Sequence, residues 1–291
     1  MKSLKQLPVL LRASHWVKNT FVFAPLFFSG QLFNLSKLVP ALYIFVAMCL
    51  AASAVYILND LFDADRDRLH PVKKYRPIAG KTVSESTAKV MAAFLAGFAL
   101  SMGFFTSIFA GLLLLIYLII NWLYSYKLKH IPVLDVTLIA LGFLIRILAG
   151  GIATNIEVSH WLAIMTFVLA LFLAIGKRHD DLLLLEKTGS QMRKSLDGYN
   201  LKFTSQAMTL LAVALFLLYY QYLEIAPTAV QFRGKMPYIS SIFVLLGMLR
   251  YLQATFVHEK SGSPVAQLLT DRFLQTIILG WLGHFIFMLY Y

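Results

Sequence analysis

Long apolar runs alternate with short polar stretches along the whole chain. The runs lie near 16–34, 38–59, 87–106, 108–126, 133–152, 160–177, 203–223, 237–256 and 267–290. Each approaches the roughly 20 apolar residues that an α-helix needs to cross the hydrocarbon core of a bilayer. The pattern predicts an all-α membrane protein, a bundle of about nine transmembrane helices in a single domain over 1–291. The first run is the most interrupted, by Lys18, Asn19 and Pro25.

The polar stretches set the orientation. Lys2, Lys5, Arg12 and Lys18 precede or open the first run, and further Lys and Arg crowd 60–86 and 177–202. The opposite side receives only Lys37, Arg233 and Lys235, and Arg146 falls inside a run. Basic residues collect on the cytoplasmic side of a membrane, so the N-terminus is expected inside. No small-residue cleavage pattern follows the N-terminal cations, and the first run is expected to be a retained helix.

Composition agrees and narrows the choice. Hydrophobic residues make up 59% and charged residues 14%, against about 25% charged in a soluble domain. The net charge of +12, from 26 Lys and Arg against 14 Asp and Glu, would suggest nucleic acid in a soluble protein. Here the cations flank apolar runs, which excludes that reading and points to anionic headgroups or phosphorylated substrates. The single cysteine, Cys49, excludes a disulfide framework or a cysteine metal centre.

The sharpest motif closes the second run: Asn59, Asp60, Asp63, Asp65, Arg66 and Asp67. If the helix continues at about 100° per residue, Asp60, Asp63 and Asp67 fall within roughly 60° of one another and Asp65 points away. Three carboxylates on one stripe repel and call for a cation. Oxygen ligands with one side open to phosphate suit Mg²⁺. A basic run follows at once, with Arg68, His70, Lys73, Lys74 and Arg76, and such side chains are the usual partners of phosphate. Two further polar clusters are expected on the same membrane face. One holds Tyr124, Lys127, Lys129 and Asp135, and the other Lys177, Arg178, His179, Asp180, Asp181, Arg193, Asp197 and Tyr199. Arg146 lies three turns beyond Asp135 and can share its face; a buried membrane Arg usually meets a partner or a cavity.

These residues resemble the UbiA superfamily of membrane prenyltransferases, through Asn59, Asp60, Asp63 and Asp67 followed by Arg76-Pro77. The likeness covers essentially the whole chain. It is closer to the branch that acts as decaprenyl-phosphate 5-phosphoribosyltransferase. That branch is matched by His15-Trp16-Val17-Lys18-Asn19, by Asp67-Arg68 through Ala79, and by Tyr124, Lys129 and Asp135. Gly142-Phe143 with Arg146 and Gly150-Gly151, Gly176-Lys177-Arg178, Arg193 with Leu196 and Tyr199, and Asp271-Arg272 complete it. Two departures stand out: Asp180-Asp181 replaces a small residue and Glu, and Gly80 follows Ala79 directly.

The resemblance implies a UbiA-like bundle in the cell (inner) membrane with its active site facing the cytoplasm. It implies transfer of 5-phosphoribosyl from phosphoribosyl diphosphate to a polyprenyl phosphate lipid, with Mg²⁺ on Asp60, Asp63 and Asp67. Asp63, Asp67 and Lys129 are the expected catalytic residues. Lys18, Asn59, Arg68, Lys73, Lys74, Arg76, Tyr124, Asp135, Arg146, Lys177, Arg178, Asp181 and Arg193 are expected to bind substrate. No nucleic-acid partner is expected, and a homo-oligomer is compatible with the likeness. Two alternatives stay open: an aromatic prenyltransferase using a prenyl diphosphate, and a lipid-phosphate transporter. The absence of a second Asp-x-x-x-Asp motif after the sixth run counts against the former, and the lack of inverted repeats against the latter.

Overall fold

The computed structural model describes residues 7–69, 73–189, 194–225, 232, 235–258, 267 and 270–290. Among them there is no β-strand, and eight helices are long and apolar enough to cross a membrane. The chain divides into two compact units, one built from 1–27, 31–129 and 145–157 and the other from 28–30, 130–144 and 158–291.

The first unit opens with short elements: α1 (Leu7–Leu10), a 3₁₀ segment (Ala13–Phe23) and α2 (Ala24–Phe28), which ends at the boundary of the unit. The expected first span, near 16–34, is therefore not a regular membrane α-helix. Its polar residues explain the difference. Asn19 is fully buried, and its side chain serves as a hydrogen-bonding centre rather than facing lipid. A 3₁₀ run normally lasts 3–4 residues; one of 11 residues advances about 22 Å at its 2.0 Å rise, laid against a neighbouring helix.

That neighbour is α3 (Leu35–Arg68), which continues without a break through the acidic motif. Its 34 residues make about 50 Å of helix at 1.5 Å each, well beyond the ~30 Å hydrocarbon core, so an end of it projects toward the aqueous phase. Asn34 caps its start by accepting from the Ser36 N–H at 3.1 Å. Helices α4 (Glu85–Thr106) and α5 (Ile108–Tyr126) form a hairpin turning on Ser107, whose hydroxyl caps α5 at the Ala110 N–H. Ala47, Ala51, Ala99 and Ala110 in the core between α3, α4 and α5 let the backbones approach closely, the usual device of membrane helices. Phe94, Phe98, Phe105, Phe109 and Ile116 face outward, as lipid-facing residues do.

α6 (Leu134–Thr154) runs through both units, leaving the second after Leu144. In the first unit its Gly150 lies so close to the Val22 backbone that a Cβ there would collide with the carbonyl. The second unit contains α7 (His160–Thr188), α8 (Leu201–Ile225), α9 (Tyr238–Phe256) and α10 (Arg272–Tyr290). Gly189, at φ 64°, closes α7 in the left-handed conformation that glycine adopts without cost. Phe28, Tyr222, Phe232 and Phe285 form an edge-to-face aromatic core.

Two of the three cations expected on the far side of the membrane cap helix ends. Lys37 donates to the carbonyl of Thr154, the last residue of α6, at 2.7 Å, and Lys235 to that of Met288 near the end of α10 at 2.9 Å. Cations at helix C-termini are favourable, so these two have structural work to do. Arg233 lies outside the described residues.

Candidate active site

The last two turns of α3 carry the acidic motif, and helical geometry sorts it. Asp60 and Asp67 are buried, Asp63 is partly so, and the Asp65 side chain is 95% exposed, as the turn angle requires. Buried carboxylates are costly unless paired, and each here meets a cation. Arg76 Nη1 donates to Asp60 Oδ1 at 3.1 Å and to Asp67 Oδ2 at 2.6 Å, bridging two turns of helix. Lys129, just beyond α5, donates to Asp63 Oδ1 at 2.7 Å and to Asn59 Oδ1 at 3.3 Å. Arg12 makes a second ion pair to Asp60 Oδ1. Three carboxylates thus face three cations from three different segments of the first unit.

Arg12 is the member that sequence reasoning missed, having been assigned only to the cationic N-terminal flank. Its backbone is left-handed, φ 48° and ψ 49°, a conformation that costs a residue with a Cβ roughly 1–2 kcal/mol. That turn sends the guanidinium back onto α3, where it also covers the Tyr56 ring at 4.9 Å. The 3₁₀ segment that follows lies along the same face. Trp16 Nε1 donates to Ser53 Oγ at 3.0 Å, and Ser53 Oγ donates to the Leu11 carbonyl at 2.9 Å. His15 sits edge-on to Tyr56. Residues 53, 56, 60 and 67 form one stripe of α3. No signal in the hydropathy pattern marks residue 12; only the positive φ does.

The other expected residues fall in several places. Arg68, the last residue of α3, pairs with Asp65 and, at 3.1 Å, with Glu85 in the first turn of α4, which ties the end of α3 to the start of α4. Lys73 and Lys74 form a short 3₁₀ turn, with the Lys74 ammonium over the Tyr75 ring. Lys18 is half-buried in the N-terminal segment and Tyr124 half-buried on α5. Arg146 donates from Nε to Asn19 at 2.7 Å and from Nη2 to the Tyr117 hydroxyl at 2.9 Å, and stacks on that ring. His70 and Arg193 lie outside the described residues.

In the second unit, Asp135 is fully buried and accepts four hydrogen bonds. They come from Arg178 Nε at 2.7 Å, Tyr199 at 2.7 Å, Ser195 at 3.2 Å and the Val136 N–H at 2.9 Å. Asp135 and Arg146 share a helix but serve different networks. Arg178, itself 1% exposed, also approaches Asp181 at 3.6 Å. The Tyr199 hydroxyl accepts from the Val133 N–H at 2.6 Å. Burial and its bond to Asp135 push this hydroxyl well above its ordinary value, so it stays a donor. Val133, a β-branched residue at φ 67°, is thereby held in a conformation it would otherwise avoid. Lys177 is half-buried beside Asp180.

Among the described residues no three acidic, His or Cys side chains stand together as a ready metal cage. The fit to a cation is nonetheless direct. A positively charged nitrogen of Arg76 already occupies the point between oxygens of Asp60 and Asp67. Hard oxygen donors around a cation-filled position are the donor set Mg²⁺ prefers.

Helical spans of membrane length, with a charge-balanced carboxylate stripe at one helix end, mark a multi-pass membrane protein. The chain belongs to the UbiA prenyltransferase family, whose sequence pattern matches residues 20–277. It is 33% identical over 276 residues to the decaprenyl-phosphate phosphoribosyltransferase of Corynebacterium glutamicum, covering 93% of this chain and 82% of that one. The enzyme of the same name from Mycobacterium tuberculosis is 35% identical over 280 residues, covering 94% and 90%. In structure the chain resembles a UbiA homolog from Archaeoglobus fulgidus bound to DMAPP and Mg²⁺, with a TM-score of 0.73, 21% identity and coverage of 98% and 99%.

Proposed function

We propose that the protein transfers the 5-phosphoribosyl group of 5-phosphoribosyl 1-diphosphate to a polyprenyl phosphate. The bond from C1 to the diphosphate oxygen breaks, a bond from C1 to a lipid phosphate oxygen forms, and diphosphate leaves. The observation that carries this reading is the clustering of Asp60, Asp63 and Asp67 with Arg12, Arg76 and Lys129. It lies in a chain similar over nearly its full length to two decaprenyl-phosphate phosphoribosyltransferases.

Asp60, Asp63 and Asp67 would hold Mg²⁺, which supplies charge neutralisation for the leaving diphosphate. Arg76 and Lys129 reach those same carboxylates and stand ready to grip phosphate oxygens, with Lys73 and Lys74 adding positive field. The nucleophile is an already ionised phosphate oxygen, so no strong general base is required; positioning and electrostatics carry the catalysis. Arg146, inside the first unit, is our assignment for steering the lipid phosphate. The bias of Lys and Arg supports an assignment of the motif to the cytoplasmic face of the inner membrane.

The test is an assay of purified protein with Mg²⁺ and polyprenyl phosphates of several lengths, offered labelled phosphoribosyl diphosphate or labelled prenyl diphosphate. Label in a phosphoribosylated lipid is the expected result. Turnover of the prenyl diphosphate alone would overturn the assignment in favour of an aromatic prenyltransferase.

A further inference from the structure

We propose that Arg12 is a positioning residue that acts as a removable counter-ion of Asp60, leaving that carboxylate when metal and diphosphate arrive and turning to the diphosphate. This rests on the reading of Asp60 as a metal ligand.

Three observations lead there. First, among the described residues Asp60 Oδ1 is served twice, by Arg12 and by Arg76, whereas Asp63 pairs with Lys129 and Asp67 with Arg76. Arg76 spreads one positive charge over both buried carboxylates and Arg12 supplies the second, so withdrawal of Arg12 leaves Asp60 with only a share of one cation and an opening for a divalent ion. Second, the Arg12 side chain is 19% exposed while the Asp60 side chain is 4% exposed. The guanidinium of Arg12 thus stays partly open to solvent beside a buried acid, as does that of Arg76 at 28%. The Arg12 group rests on the Tyr56 ring, a surface on which it can slide while keeping its cation–π contact.

Third, the N-terminal segment does not depend on this ion pair for its seat. Trp16 and the Leu11 carbonyl are fastened to Ser53, two turns back from Asp60, and Asn19 reaches Cys49 at 3.2 Å a further turn back. The left-handed backbone at residue 12 therefore aims a side chain without holding the segment down. Backbone strain of this kind collects at functional positions. Arginine is the side chain suited to the second half of the exchange, because its planar fork matches phosphate oxygens in pairs.

A counter-ion of this kind and a structural clamp differ in sign. A cation beside Asp60 competes with a divalent ion, so its loss raises metal affinity in the absence of donor. Loss of a clamp lowers it. The full-length protein in detergent is titrated with Mn²⁺ and free Mn²⁺ is read by electron paramagnetic resonance, without phosphoribosyl diphosphate. Arg12→Gln, of similar reach but neutral, is expected to bind Mn²⁺ up to about tenfold more tightly than wild type, the scale of one partly screened charge pair. Arg12→Lys should stay within about twofold of wild type, because it keeps the charge. With phosphoribosyl diphosphate present, Arg12→Gln should raise KM for that donor at least about tenfold.

Binding of Mn²⁺ by Arg12→Gln that equals or falls below that of wild type overturns the proposal and leaves the metal site standing. Absence of saturable Mn²⁺ binding by wild type overturns both. An Arg12→Gln protein that no longer folds shows that the pair is a clamp and overturns the proposal as well.

Discussion

Lys129 Nζ stands 2.7 Å from Asp63 Oδ1 across 66 positions of sequence, and its second bond, to Asn59, spans one turn of α3. The ammonium thus locks the middle of the acidic stripe from a different helix pair. Asp63→Asn keeps the shape and removes the charge. Turnover should fall at least about 100-fold, as when a preorganised electrostatic contact is lost, with membrane insertion and yield unchanged. Lys129→Gln should cost a similar factor. The double variant should be far less than multiplicative, because the two side chains act as a unit. Wild-type activity of Asp63→Asn in excess Mg²⁺ would remove Asp63 from the site.

Removal of divalent ions by EDTA is expected to abolish phosphoribosyl transfer, and Mg²⁺ to restore it. Ca²⁺, larger and less strict in geometry, should restore a small fraction. Full activity in chelator, measured as labelled lipid product, would exclude a metal from the reaction.

Asp135 and Arg178 are both buried, and removing one partner of such a pair strands the other charge. Asp135→Asn should destabilise by about 3–5 kcal/mol, read as a lower melting temperature in detergent. Tyr199→Phe deletes one donor to Asp135 and the acceptor for the Val133 N–H, and should cost about 1–3 kcal/mol. The Tyr199 hydroxyl is raised above its ordinary value of 10.0. Its contribution is therefore complete below pH 10 and is lost as the pH rises beyond that point. Melting curves from pH 7 to 9 should show no difference in the penalty of Tyr199→Phe.

Gly150→Ala places a methyl group against the Val22 carbonyl. The N-terminal segment must shift, at a cost of about 1–3 kcal/mol. Limited proteolysis should cut between residues 8 and 20 faster in this variant than in wild type. Equal cleavage rates would show that the contact is dispensable.

Arg146→Lys retains the charge but not the fork that reaches Asn19 and Tyr117 together. KM for the polyprenyl phosphate should rise while that for phosphoribosyl diphosphate stays within about twofold. A change confined to the melting temperature would mark Arg146 as structural.

The spans from α3 onward were legible because lipid imposes a length and a polarity that apolar runs reveal directly. The continuation of α3 past residue 59 entered only as a condition, under which the 60, 63, 67 spacing makes one stripe; the helix does run on to Arg68. The N-terminal segment was not. Its polar residues read as interruptions of a span, whereas Asn19 is the inward-facing partner of Arg146. The partner of Asp135 was equally hidden. Arg178 and Tyr199 lie 43 and 64 positions away, and no periodicity links them. Local spacing reports which residues share a stripe; it does not report which distant cation answers a buried acid, and Arg12 needed the left-handed turn to be seen.

The residues of the charge cluster lie between positions 12 and 129. A chain leaving the ribosome therefore carries Arg12 ahead of the acids, adds Arg76 nine positions after Asp67, and completes the set with Lys129 before α7 to α10 have been made. Asp60 finds Arg12 already made, Asp67 waits nine positions for Arg76, and Asp63, the least buried of the three, waits for Lys129. The two acids that end most buried are thus the ones whose cations are made first.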